Sequence, residues 1–222
     1  MKYVFFDFDG TISNTYDGVC DILKRTFDKF GVDVDETLYS KFIGPPLSET
    51  FEKYIGKDRA YEAVGYFREL YVGEKAIYKS KLYDGVKEML AECNAMSGVT
   101  TGVATCKKHE EADHLLEWFG VRDSIEILSG LVYNVRETKA QVLRYALDKY
   151  SIQPQDCVMV GDTVYDVEGA EELGIDCILC MWGFGDYQTI NNKNVVFRAD
   201  TPYDVIKFVK DNYAEKRPHR EK

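Results

Sequence analysis

Residues 3–11 read YVFFDFDGT, an apolar run that stops at an acid. Side chains two apart on a strand share a face, so Asp7 and Asp9 are expected to emerge together at the carboxyl end of a strand. In open α/β sheets this edge is where ligands bind. A strand that runs into an ordinary Asp-Gly turn would explain Asp9 and Gly10, but not the acid at position 7. The stretch therefore predicts a first strand that carries a pair of functional carboxylates.

From residue 97 onward, short apolar runs alternate with amphipathic stretches. This alternation favours an α/β fold with a doubly wound parallel sheet. Strands are predicted at 99–104, 125–128, 157–160, 177–181 and 195–197, and helices at 107–119, 137–150, 164–173 and 202–213.

Residues 16–80 have a different pattern. Val19, Ile22 and Phe27 belong to an apolar series with three- and four-residue steps, which is helical spacing. Two more helices are predicted at 47–55 and 61–71, with linkers at 11–15 and 79–83. The sequence thus predicts an inserted all-helical domain at 16–80, and a core formed by residues 1–15 and 81–222.

A second acidic pair follows another apolar run, since residues 158–166 read VMVGDTVYD. Asp162 alone could be a helix N-cap, but two strand ends in one chain each deliver a pair of carboxylates. Two unit charges about 4 Å apart repel by about 4 kcal/mol at an effective dielectric near 20, so such a cluster needs a cation. Carboxylates, a backbone carbonyl and waters are ligands that suit Mg²⁺. Asp7, Asp9, Asp162 and Asp166 are therefore candidate magnesium ligands.

Two further polar residues lie between these pairs. The Thr105 hydroxyl, with the amides that follow it, could hold a phosphate, although an N-capping threonine explains it equally well. Lys139 lies in the first turn of a predicted helix, where a cation is mildly unfavourable. A solvated surface lysine is the ordinary interpretation there, so the residues alone leave both roles open.

Taken together, these residues resemble the four motifs of the haloacid dehalogenase superfamily. DFDGT at residues 7–11, Thr105, Lys139, and Gly161-Asp162 with Asp166 occur in the order of those motifs, and the match spans the whole chain. Residues 16–80 resemble the helical cap of the phosphoglycolate phosphatase branch. FIGPPL at residues 42–47 is similar to the cap loop of that branch.

The resemblance implies a phosphatase that works through an aspartyl-phosphate. Asp7 would attack phosphorus, and Asp9 would protonate the leaving alcohol and later deprotonate the attacking water. Magnesium would be held by Asp7, Asp162 and the Asp9 carbonyl, with Asp166 in support. The expected substrate- and phosphate-binding residues are Gly10, Thr11, Gly44, Pro45, Thr105, Cys106 and Lys139. Two positions depart from the family pattern: Cys106 stands where Asn or Ser is usual, and Ala140 where Pro is frequent.

Several other functions fit part of the pattern. Asp9 argues against a dehalogenase, which lacks the second acid. A phosphomutase similar to β-phosphoglucomutase keeps both acids, but its cap carries Arg and Ser where this chain has PPL at 45–47. A phosphonatase using Lys41 or Lys53, a 5′-nucleotidase and a pyrophosphatase stay open. A response-regulator receiver has no large cap, and a non-catalytic phosphate-binding protein has no need of both acids.

Composition restricts the partners. The formal net charge of −10 disfavours nucleic-acid binding, and no apolar run reaches the roughly 20 residues that cross a bilayer. The N-terminus lacks a signal-peptide pattern, so we expect a cytoplasmic protein that binds a small phosphorylated metabolite, as a monomer or homodimer. The six cysteines are expected to be free thiols, including the C-x-x-C at 177–180. The basic segment 216–222 is expected to be a frayed terminus.

Overall fold

The structure is a computed structural model that describes residues 2–188 and 190–214. The basic segment 216–222 lies outside the described residues. The strands are, in chain order, β1 (Lys2–Phe6), β2 (Ser13–Asn14), β3 (Lys81–Leu82), β4 (Val99–Lys108), β5 (Ile127–Leu131), β6 (Cys157–Gly161), β7 (Asp176–Cys180) and β8 (Val195–Ala199).

Six of these strands form one parallel sheet in the order β5-β4-β1-β6-β7-β8. The first strand of the chain therefore lies in the middle of the sheet, between β4 and β6. Because parallel strands end at the same edge, the loops after β1, β4 and β6 meet there. The predicted α/β fold class with a doubly wound parallel sheet is confirmed.

The helices are, in chain order, α1 (Tyr16–Phe30), α2 (Leu47–Tyr54), α3 (Lys57–Gly73), α4 (Val86–Asn94), α5 (His109–Trp118), α6 (Lys139–Tyr150), α7 (Val164–Glu172) and α8 (Pro202–Asn212), of which α4 to α8 cover the two faces of the sheet. Alternate side chains of β1 point to opposite faces. Val4 and Phe6 join a core with α4, α5 and α8, whereas Phe5 joins a second core with α6 and α7.

Residues between β2 and β3 form α1, α2, α3 and two short 3-10 helices at Glu36–Phe42 and Ala76–Lys79. Phe27 lies at the centre of this segment, with its ring centroid 5.7–6.1 Å from those of four other aromatic residues, Tyr39, Phe42, Phe51 and Tyr54. The helical insertion after the first strand is confirmed. Its division from the core at residues 16 and 80 stays a prediction.

The predicted linkers are more ordered than the sequence indicates. Ser13–Asn14 and Lys81–Leu82 pair as a two-stranded antiparallel ribbon, so the insertion leaves and re-enters the core through adjacent strands. Neither strand has an apolar pattern, and the Ser13 hydroxyl donates to the Lys81 carbonyl across the ribbon. Two residues per strand are too few for a periodic signal.

Two predicted boundaries near the site were wrong. The helix predicted from residue 107 begins at His109, because β4 continues through Lys108 with a shift in its pairing to β5 after Thr105. The strand predicted at 125–128 lies at Ile127–Leu131. Its buried Ser129 and Gly130 pair with Ala104 and Thr105, and such small residues do not mark a strand in sequence.

The described cysteines are all free thiols, as predicted, and each is buried except Cys20. Within residues 2–188 and 190–214, no helix combines the length and apolar character that crossing a bilayer requires.

Candidate active site

The first acidic pair lies where β1 ends. The Asp7 amide still donates to the Val160 carbonyl at 2.8 Å, so its backbone is fixed against β6. Its side chain is only 2% exposed, whereas the Asp9 side chain is 14% exposed. Gly10 follows with φ +88°, and a Cβ there would lie 2.1 Å from Asp162 Oδ2. Only glycine therefore allows the turn after Asp9 to approach the second acidic pair.

Asp162 is held between two loops. Its Oδ1 accepts from the Thr11 hydroxyl at 3.0 Å, and its Oδ2 accepts from the Phe184 amide at 2.8 Å. The Phe184 loop follows β7, and the sequence analysis assigned it no role. The GFG run at 183–185 was the available signal, since a Cβ at Gly183 would lie 2.2 Å from Asp162 Oδ2.

Asp166 organises the start of α7. Its Oδ2 accepts from the amides of Asp162 at 3.1 Å and Thr163 at 2.9 Å, and from the Thr163 hydroxyl at 2.9 Å. These bonds cap the helix and fix the carboxylate, which is fully buried. Its other oxygen, Oδ1, faces Lys139.

Lys139 is a buried cation rather than a surface lysine. Its Nζ lies 2.6 Å from Asp7 Oδ1 and 2.8 Å from Asp166 Oδ1, and it donates to the Ala104 carbonyl at 3.1 Å. Helices α6 and α7 approach closely enough for this contact because Gly169 faces the lysine stem, where a Cβ would lie 2.6 Å from Lys139 Cβ. The unfavourable helix position is thus offset by two carboxylates.

The electrostatics of the site fit a divalent cation. Oxygens of Asp7, Asp162 and Asp166 lie within 4.8 Å of one another. Burial raises the pKa of Asp7 to about 7, against the opposing effect of Lys139 and with an added contribution from Asp166. Burial and the nearby Asp166 carboxylate raise the pKa of Asp162 well above its usual range. One lysine does not neutralise three buried carboxylates, and their hard oxygens are the donors that magnesium prefers.

The expected phosphate-binding residues lie around this cluster. Thr105 is 1% exposed, and its hydroxyl oxygen accepts from the Lys107 amide at 3.1 Å. The Gly10 amide donates to the Ser13 carbonyl and the Thr11 hydroxyl to Asp162, so both donors already have acceptors. Cys106 is buried, and burial raises the pKa of its thiol to about 12, which keeps it protonated.

A second buried lysine was missed by the sequence analysis. Lys107 Nζ lies 3.0 Å from Asp9 Oδ1, and its side chain is 3% exposed. Burial opposes its charge, but the neighbouring Asp9 carboxylate raises the Lys107 pKa above its ordinary value. The sequence placed Lys107 at the start of a helix, and no local pattern indicated its contact with a residue 98 positions away.

The predicted cap loop contacts this region. A cavity of about 40 Å³ lies beside Asp9, and Gly44 and Pro45 line it together with Arg68 and Lys107. Gly44 has φ +108°, and a Cβ there would lie 3.0 Å from the Thr163 methyl carbon. The loop therefore lies directly against the loop that follows β6. Neither Lys41 nor Lys53, the lysines considered for a phosphonatase, lines this cavity.

Comparison with known proteins agrees with this arrangement. The profile of haloacid dehalogenase-like hydrolases matches residues 4–180. The chain is 32% identical to the tyrosine-protein kinase PtkA of Mycobacterium tuberculosis over 90% of this chain and 69% of that protein. It is 31% identical to a 5′-nucleotidase of Pseudomonas aeruginosa, covering 82% of this chain and 83% of that protein.

A solved structure shares both the core and the helical insertion. The crystal structure of a predicted phosphatase from Clostridium acetobutylicum superposes with a TM-score of 0.88, at 30% identity, over 95% of this chain and 98% of that one. The profile match covers most of the sequence and includes the residues of both acidic pairs up to Asp166. The chain therefore belongs to the haloacid dehalogenase-like hydrolase family.

Proposed function

We propose that this protein is a magnesium-dependent phosphatase that hydrolyses the phosphate monoester of a small metabolite through an aspartyl-phosphate on Asp7. The observation that carries the proposal is the pairing at the end of β1. Asp7 is buried against Lys139 at 2.6 Å, while Asp9, two residues on, faces a cavity on the cap side. A nucleophile and a separate acid are thus available on one short loop.

The reaction would proceed in two steps. An Asp7 oxygen attacks phosphorus, and the bond from phosphorus to the leaving oxygen breaks as Asp9 gives that oxygen a proton. Water then attacks the phosphorus of the aspartyl-phosphate, Asp9 takes the proton from this water, and phosphate leaves with Asp7 restored. One acid therefore serves both half-reactions.

The charge on the phosphoryl group needs neutralising before an anionic nucleophile can approach it. Magnesium would be held by the carboxylates of Asp7 and Asp162 and by the Asp9 carbonyl, and when bound it supplies this neutralisation. Asp166 does not need to bind the metal itself: it holds Lys139 in place through an ion pair and fixes the start of α7 by accepting from the Thr163 amide. Lys139 and Thr105 hold phosphoryl oxygens, and Lys139 also orients Asp7.

The helical insertion, residues 16–80, would act as a mobile cap over the active site. A buried water needs about 10–15 Å³, so the cavity of about 40 Å³ beside Asp9 holds only a few waters. Movement of the cap would enlarge this space for the substrate, and closure would then limit the water around the reacting groups. Gly44 and Pro45, which line the cavity, would contact the leaving group.

The names of the relatives leave the acceptor of the phosphoryl group to be decided by experiment. PtkA is called a tyrosine-protein kinase, and a kinase would transfer the group from a donor to a tyrosyl oxygen instead of to water. Both routes share the chemistry at phosphorus. Hydrolysis is favoured here because the chain is also similar to a 5′-nucleotidase and to a predicted phosphatase.

A panel of phosphorylated metabolites tests the proposal. Phosphate release with Mg²⁺ is measured for phosphoglycolate, nucleoside monophosphates, a sugar phosphate, pyrophosphate and phosphotyrosine, and ranked by kcat/KM. Tyrosine phosphorylation from ATP is assayed in parallel, and Asp7→Asn is the control. We expect release from at least one ester that the control does not catalyse. Tyrosine phosphorylation without phosphate release from any ester would contradict the proposal.

A further inference from the structure

The ion pair between Lys107 and Asp9 has no part in the mechanism above. Lys107 Nζ lies 3.0 Å from Asp9 Oδ1 and 3.4 Å from Asp9 Oδ2, so it contacts both oxygens of the carboxylate. The lysine side chain is 3% exposed and that of Asp9 is 14% exposed. Among the described residues, no cationic side chain other than Lys107 lies within ion-pair distance of Asp9.

An irregularity in the sheet brings the lysine to this position. The pairing of β4 with β5 shifts between Thr105 and Lys108, which leaves Lys107 outside the regular ladder. Its amide donates instead to the Thr105 hydroxyl at 3.1 Å. Bulges of this kind redirect a side chain, and they are common next to active sites.

One aromatic residue of the core and one of the insertion flank the ammonium group. Its Nζ lies 5.4 Å from the ring centroid of Phe8 and 5.3 Å from that of Tyr71, and 3.5 Å from the Tyr71 hydroxyl. Ring faces attract cations at this range, more so where water is excluded. Tyr71 belongs to α3, so the surroundings of the lysine are complete only when the insertion lies against the core.

A general acid needs such a constraint. Asp9 stands on a loop, and its carboxylate must lie within hydrogen-bond reach of the leaving oxygen when the bond breaks. We propose that Lys107 is a positioning residue that holds the Asp9 carboxylate towards the leaving group, and that Tyr71 completes this arrangement when the cap is closed. The proposal rests on the proposed phosphatase function.

The role predicts a loss that depends on the leaving group. Lys107→Met removes the charge at similar length, and a misplaced acid costs about 10²-fold. We expect the single-turnover rate of enzyme phosphorylation to fall about that much with an alkyl phosphate, and much less with an aryl phosphate whose phenolate leaves without a proton. Lys107→Arg should recover most of the alkyl rate. In the background of Asp9→Asn, Lys107→Met should cost little more, because the two residues act as a unit.

Lys108→Met is the matched control, since Lys108 is adjacent but 43% exposed and pairs with Glu110. It should match the wild type on both esters. If thermal unfolding shows that Lys107→Met does not fold, Lys107→Gln is used in its place. Equal losses on alkyl and aryl phosphates, or additive losses with Asp9→Asn, would overturn the positioning role while leaving the phosphatase proposal intact. A wild type inactive on every ester would instead remove the proposed function.

Discussion

Lys139→Met should destabilise the metal-free protein and slow every substrate by a similar factor. The lysine Nζ lies 2.6 Å from Asp7 and 2.8 Å from Asp166, with its side chain 2% exposed. At an effective dielectric near 20, a pair of unit charges at this range attracts by about 6 kcal/mol. Part of this attraction offsets the cost of burying the charges. Removing one partner of a buried pair therefore costs about 3–5 kcal/mol of stability.

The lower end of that range is expected for this site. Without Lys139, the Asp7 carboxylate relieves some repulsion by taking up a proton, since burial already raises its pKa to about 7. We therefore expect the free energy of unfolding to fall by about 3 kcal/mol in chelator. Turnover should fall about 10²- to 10³-fold, as when a donor to transition-state charge is removed.

Urea unfolding at neutral pH in excess chelator measures the change in the free energy of unfolding. The change in turnover is measured as kcat on an alkyl and an aryl phosphate. Lys149→Met is the control, because Lys149 lies at the exposed end of the same helix. Magnesium should stabilise the Lys139→Met protein, since a ligand that binds only the folded state raises its stability. A loss below about 1 kcal/mol together with turnover within tenfold of wild type would refute the assigned role.

Three further predictions concern the acid, the metal and the cap loop. Asp9→Asn should slow phosphorylation of the enzyme by alkyl phosphates about 10²- to 10⁴-fold and by aryl phosphates much less; equal losses in single-turnover assays would contradict its role as the acid. Activity should vanish in excess chelator and return with Mg²⁺, and Ca²⁺ should inhibit because its larger shell can engage both oxygens of Asp7; full activity in chelator, with no metal found by elemental analysis, would end the metal hypothesis. Pro45→Trp should reorder the kcat/KM ranking of the metabolite panel, because Pro45 lines the cavity beside Asp9; an equal effect on all substrates would place recognition elsewhere.

The acids of the site could be predicted from sequence because each pair follows an apolar run and interrupts a pattern that packing alone would continue. Asp7 and Asp162 end adjacent parallel strands, so the fold class already brings them together. The helical insertion was recognisable from its three- and four-residue spacing. In these cases the local pattern and the final structure agree.

The lysines could not be assigned in this way. Whether Lys139 is solvated or buried depends on Gly169 in another helix, which admits its stem. Whether Lys107 belongs to a strand or a helix depends on a shift in strand pairing. The Phe184 amide reaches Asp162 through a loop without periodicity. Contacts of the two lysines that are set by tertiary packing leave no periodic signal in the sequence, and only the glycines at 183 and 185 marked the Phe184 loop.

The central claim, that Asp7 carries the phosphoryl group, is tested most directly by locating that group. Asp9→Asn protein is mixed with an aryl phosphate and Mg²⁺, quenched in acid and analysed by peptide mass spectrometry, since loss of the general base should allow the intermediate to accumulate. We expect one phosphoryl group on the peptide containing Asp7, absent when Asp7→Asn is added. A phosphoryl group on another residue, or turnover by Asp7→Asn within tenfold of wild type, would contradict the account.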